Sequence, residues 1–168
     1  SLFALAGVEV SQKSAKEIRS LFARQFSRQK TTAGTERLVF TAPDGKQTNI
    51  YPFSGMGFWG PIHGYIALDG TLSRIRGIVF TRQEETPGLG AEITGQPFRR
   101  QFINRLFTRT ESSREVLLRI KKAGEAKTPF HIDGITGATE TTGRVNFMVK
   151  KVLDSAVADR ERRPSHAN

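Results

Sequence analysis

At 168 residues with a formal net charge of +10, the chain is long enough to bury one core and short enough to be a single domain. Hydrophobic residues at 37% and charged residues at 25% exclude a disordered polymer, and no apolar run approaches the ~18 residues of a membrane-crossing helix. Cysteine is absent and histidine stands only at His63, His131 and His166, which excludes disulfides and thiolate chemistry and argues against a histidine-built metal centre. Nucleic acid, an anionic membrane surface or an acidic redox partner would each complement the charge, and a surface that is basic without any partner is the plainer alternative.

Ser14-Ala15-Lys16-Glu17 has the form of a capping box, and Ile18, Leu21, Phe22 and Phe26 follow at helical spacing. Residues 29–35 read as a polar linker. Residues 37–41 and 48–51 flank Pro43-Asp44-Gly45, which predicts a hairpin. A glycine-rich run, 54–61, then holds the only tryptophan. Trp59 between glycines suits either a wall of a cofactor pocket or an aromatic plug in a tight turn, and the residues alone favour the plug. Residues 65–68 and 72–80 around Asp69-Gly70 predict a second hairpin, with Ile75, Gly77 and Val79 on one face.

Glu85-Thr86-Pro87-Gly88-Leu89-Gly90 is a loop stiffened by proline and opened by two glycines. Phe98, Phe102, Ile103 and Leu106 form another helical stripe beside Arg99, Arg100 and Arg105, whose plain reading is a solvated basic face. Residues 116–121 read as a strand, and Lys122 follows as a surface lysine. Asp133-Gly134-Ile135-Thr136-Gly137-Ala138-Thr139-Glu140-Thr141-Thr142 packs four threonines into ten residues. Val145, Met148, Val149, Val152, Leu153, Ala156 and Val157 behind it make one apolar face of a long helix. Thr141 or Thr142 is the expected N-cap, leaving Thr139 in the loop just ahead of the helix, where free amides and the helix dipole favour phosphate.

The last of these stretches resembles the flavinylation motif of the FMN-binding domain family, and 85–92 resembles that family's other signature loop. The family includes NqrC of the sodium-translocating NADH:quinone oxidoreductase and RnfG of the Rnf complex, and the run 53–68 is more similar to the former. Thr136 stands where the family often has serine. The resemblance implies FMN joined through its phosphate to Thr139 by a flavin transferase that uses FAD. Asp133, Gly134, Thr136, Gly137, Ala138, Thr141 and Thr142 would then present the acceptor. Glu85, Thr86, Pro87, Gly88, Leu89 and Gly90 would form the flavin-contacting loop, with Trp59 and Lys122 as further candidate contacts. It implies an electron relay within a membrane complex, on its extracytoplasmic (periplasmic) face, in a polypeptide that carries an N-terminal membrane helix outside these residues. An RnfG-like or free-standing flavin carrier is the alternative within redox chemistry, and a basic module for nucleic acid or anionic lipid is the alternative outside it.

No paired catalytic carboxylates, Ser-His-Asp order, P-loop or dinucleotide fingerprint is present, so no catalytic residue is assigned. Hairpins in the middle and helices around them, without strict strand–helix alternation, predict an α+β fold with an antiparallel or mixed sheet. Residues 1–158 are expected to form the FMN-binding domain and 159–168 a basic flexible tail.

Overall fold

The computed structural model describes residues 2–162. Its helices are α1 (Leu2–Leu5), α2 (Ala15–Gln25), α3 (Gln96–Arg99) and α4 (Thr139–Glu161). Its strands are β1 (Phe26–Lys30), β2 (Glu36–Thr41), β3 (Gln47–Met56), β4 (Pro61–Asp69), β5 (Ile75–Arg82), β6 (Arg119–Lys121) and β7 (His131–Asp133). The first five form one antiparallel sheet in chain order, and β6 and β7 pair in parallel beside it. This is the α+β, hairpin-built architecture expected from the turn chemistry.

Alternation along the strands sorts side chains to two faces. Tyr51, Phe53, Ile66 and Ile78 point to the face covered by α4, where they join Phe98, Phe102, Val145, Val149 and Leu153 in the main core. Ile50 and Ala67 point the other way, against Leu5 of α1. Phe22 of α2 stacks on Phe26, which in turn meets Phe3 and Phe40. Each aliphatic or aromatic side chain buried in this way contributes about 1.5–3 kcal/mol. Ser14 does cap α2, with the reciprocal Glu17 bond in place.

Several expectations are corrected. The stretch 29–35 is not all linker, because β1 continues through Lys30 and pairs with β2; Phe26 accordingly opens a strand instead of closing a helix. Ile75 does not share a face with Gly77 and Val79: a register shift between Ala67 and Leu68 turns it into the main core. The stripe from Phe98 to Leu106 is not one helix. α3 passes into a single 3-10 turn at Arg100–Phe102, Asn104 adopts positive φ, and Ile103 is exposed. Finally, α4 runs through Asp159 to Glu161, and Asp159 is buried. Residues 159–161 are therefore helix and not tail; residues 163–168 of that expectation lie outside the described residues.

Asp159 holds the end of α4 to the sheet. Its carboxylate accepts from Arg37 Nη1 at 2.9 Å, Tyr51 Oη at 2.8 Å and the Thr32 amide. Arg37 Nη1 also donates to Tyr51 Oη at 2.6 Å. Burial is the main cause that pushes the Tyr51 phenol far above its ordinary range, so it stays a donor to Asp159. Among the described residues no helix is long and apolar enough to cross a membrane.

Candidate functional site

Two loops and one hairpin tip converge at the start of α4. After β7, the Gly134 amide donates to the Lys121 carbonyl at 2.8 Å, and the Ala138 amide turns back to Ile135 O at 3.1 Å. Gly137, the third residue of that turn, has φ +76°, a conformation that glycine adopts without steric cost. The next residue but one, Thr139, is the first of α4, and Ala138 stands at the N-cap with no side-chain cap. The helix thus starts earlier than expected, and neither Thr141 nor Thr142 is the cap. The Thr142 hydroxyl instead donates to Ala138 O at 3.0 Å and Thr139 O at 3.2 Å. The first-turn amides ahead of Thr142 have no acceptor one turn back, and they carry the positive end of the helix dipole.

Glu85 ties the other two segments to this turn. It lies just beyond β5 and is only 5% exposed. One carboxylate oxygen accepts the Thr141 hydroxyl, and the other accepts the Trp59 amide at 3.1 Å. A buried carboxylate at a helix N-terminus is electrostatically favourable, and here it also joins α4 to the β3–β4 turn. Gly90, which opens the 3-10 turn Gly90–Thr94, passes so close that a Cβ there would lie 2.6 Å from Thr141 Oγ1 and 2.9 Å from Glu85 Cβ. Gly90→Ala is therefore expected to wedge the loop from α4 and cost about 1–3 kcal/mol. A denaturant midpoint equal to that of the parent protein would show that the loop yields freely.

Between these segments lies a cleft of about 400 Å3, lined by Phe58, Trp59, Glu85, Thr86, Leu89, Gly90, Gly137, Ala138, Thr139, Glu140 and Thr141. Both sequence motifs and the tryptophan thus meet in one concavity. Trp59 is not a plug: it is 67% exposed, with Phe58 edge-on to it at 4.8 Å between ring centres. Leu89 is likewise exposed, and its Cδ2 lies within 2.9 Å of where a Cβ on Gly137 would sit. Sequence reasoning does not single out Phe58 or Glu140. The available signal for Phe58 is its place beside Trp59 in the glycine-rich turn, and that for Glu140 is its position inside the threonine stretch.

Other expected site residues stand outside the lining. Thr136, Pro87, Gly88 and Lys122 are exposed and do not line it. The Asp133 carboxylate turns inward to accept the Ala126 amide at 3.0 Å, while its backbone exchanges bonds with the Gln101 side chain. Gly134 is held against Lys121, and Thr142 is buried under the turn. These residues shape the loop from behind.

The cleft is suited to a flat, apolar ligand with an anionic end. Its lining combines exposed aromatic and aliphatic side chains with the free first-turn amides of α4 and an exposed hydroxyl. Among the described residues no side chain hydrogen-bonds to the Thr139 hydroxyl, and no cluster of three potential metal ligands occurs.

Residues 57–154 match the family model of the FMN-binding domain, a span that includes the aromatic turn, both loops and most of α4. NqrC of the Na(+)-translocating NADH-quinone reductase from Chlamydia pneumoniae is 36% identical over 113 residues, covering 59% of this chain and 35% of that protein. The chain thus spans well under half the length of that relative. The solved NqrC of Parabacteroides distasonis superposes with a TM-score of 0.68 at 28% identity, over 88% of this chain and 68% of the other. NqrC from Shewanella oneidensis shares the fold, with a TM-score of 0.71 at 19% identity, over 94% and 89% of the two chains.

Proposed function

The chain belongs to the FMN-binding domain family, and on that premise we propose that it is an electron-transfer domain whose FMN is esterified through its phosphate to Thr139. The observation that carries this reading is the position of the Thr139 hydroxyl. It is exposed, at the first residue of α4, and on the wall of the cleft where the two motifs and Trp59 meet.

The residues present fit the cofactor. Thr139 Oγ1 would carry the phosphoester, and the first-turn amides of α4 would face the phosphate oxygens. Phe58, Trp59 and Leu89 offer apolar surface of the kind a flat ring covers. Bound FMN supplies redox chemistry that none of the twenty side chains provides. Glu85 positions two of the three segments by holding the Trp59 amide and the Thr141 hydroxyl. Thr139 itself has no base bonded to it, and an unassisted hydroxyl is a weak nucleophile. A separate flavin transferase would therefore activate it. The new oxygen–phosphorus bond would form at Thr139 as the pyrophosphate bond of FAD broke, with AMP as leaving group and the hydroxyl proton taken by the transferase.

Covalent attachment through the far end of the cofactor keeps an exposed flavin on the protein while its ring stays free to meet redox partners. That logic suits a relay within a sodium-translocating NADH:quinone oxidoreductase of NqrC type, as the naming of the relatives supports. This chain spans under half the length of those relatives, and in this reading it is one domain of a membrane-anchored polypeptide, held on the extracytoplasmic face. Its partners would be the other subunits of the complex. Co-expression with a flavin transferase followed by denaturing electrophoresis tests the reading. In-gel flavin fluorescence is expected from the parent and from no Thr139→Ala variant; fluorescence of equal strength in both would overturn the assignment of Thr139.

A further inference from the structure

A second and larger concavity lies away from the cleft, between β3 and α4. It measures about 520 Å3, within the roughly 300–1,000 Å3 usual for small-molecule sites. Its lining shares no residue with that of the Thr139 cleft. The α4 side is one stripe, Arg144, Phe147, Met148, Lys151, Val152 and Ser155, at the three- and four-residue steps that place side chains on a single helix face. Such a stripe is normally covered. Here Phe147 is 71% exposed, and Met56 across the groove on β3 is 61% exposed.

The charged groups of this groove are of one sign. Arg144 and Lys151 are cations, and no aspartate or glutamate is in the lining. Lys150 next door pairs with Asp154, but among the described residues neither Arg144 nor Lys151 has an acidic partner. The Ser155 hydroxyl oxygen, also in the lining, is buried and has no hydrogen-bond partner. An apolar trough with two unpaired cations along one wall complements a ligand with an apolar chain and an anionic head. The guanidinium fork of Arg144 matches the paired oxygens of such a head, carboxylate or phosphate. The trough is concave and walled by two elements, so it suits a single extracted chain better than the plane of a bilayer.

We infer that the β3–α4 groove is a second binding site for a monomeric single-chain amphiphile with an anionic head, of which a carboxylate is the simplest. This goes beyond the flavin reading and does not depend on it.

Isothermal titration of the full chain with sodium decanoate, kept below its micellar range at low ionic strength, tests the inference. Decyltrimethylammonium serves as the cationic comparison, and anionic phospholipid vesicles as the membrane comparison. Saturable one-site binding of decanoate is expected, weakened about tenfold or more in Arg144→Gln/Lys151→Gln and unchanged in Thr139→Ala. Equal affinity for decyltrimethylammonium, an unchanged affinity in the double variant, or binding to vesicles without binding to decanoate would each overturn it. Because Thr139→Ala removes only the proposed flavin attachment point, failure of the flavin reading leaves this result intact, and the reverse also holds.

Discussion

Replacing Asp159 with alanine is expected to cost about 3–5 kcal/mol of folding stability, the range for removing one partner of a buried ion pair. The side chains of Arg37 and Asp159 are 9% and 5% exposed, so the guanidinium left behind would be charged, desolvated and unpaired. Tyr51 and the Thr32 amide would lose their acceptor as well. Denaturant unfolding should show a lower midpoint with an unchanged slope. Replacing both members with apolar residues, Arg37→Met with Asp159→Leu, should recover much of the loss, because it removes the stranded charge. A loss below about 1 kcal/mol for Asp159→Ala, typical of a surface site, would mean that the end of α4 is not pinned to the sheet as described.

Glu85→Ala is the second large effect. Two groups lose a buried acceptor, the Trp59 amide and the Thr141 hydroxyl. Stranding each costs about 1–3 kcal/mol, and since both belong to one network the combined loss is about 2–4 kcal/mol. Glu85→Gln keeps one carbonyl oxygen for the Trp59 amide, and its NH2 can donate to the Thr141 hydroxyl, which can turn to accept, so this variant should lose less than the alanine variant. The pair of variants separates a hydrogen-bonding role from a charge. Trp59 emission reports the same event locally, since the turn that carries the indole is released in the alanine variant. Identical stability and emission in Glu85→Ala would contradict the role of Glu85 as the tie between α4 and the β3–β4 turn.

These two residues also mark where sequence reading succeeds and where it stops. Turn chemistry such as Pro43-Asp44-Gly45 and Asp69-Gly70 is local, so the hairpins and hence the α+β class are legible. The threonine stretch and the Glu85–Gly90 loop are legible as motifs, and the fold brings them to one cleft. Contacts between distant residues are not legible. Asp159 follows a helical pattern into a basic, proline-containing end, and nothing nearby reveals that Arg37, 122 positions away, will pair with it. Trp59 reads as a plug because local sequence does not say which side of a turn faces solvent. The start of α4 is misplaced for a related reason. Thr141 and Thr142 have the chemistry of caps, but tertiary partners claim one hydroxyl and the preceding turn claims the other. The stripe from Phe98 to Leu106 has helical period, yet the reversal at Asn104 and the bridge between Arg74 and Leu106 end the helix early.

Thr139→Ala, by contrast, should fold as well as the parent. Its side chain is exposed and has no hydrogen-bond partner among the described residues, which places the substitution within about 0.5 kcal/mol. That neutrality makes it a clean probe of chemistry. The decisive measurement is the intact mass of parent and Thr139→Ala, each co-expressed with a flavin transferase. A gain of one FMN less one water in the parent, and none in the variant, is the result expected of a phosphoester at Thr139. Equal masses for the two proteins, under conditions in which a known member of the family is loaded, would contradict the covalent-carrier account.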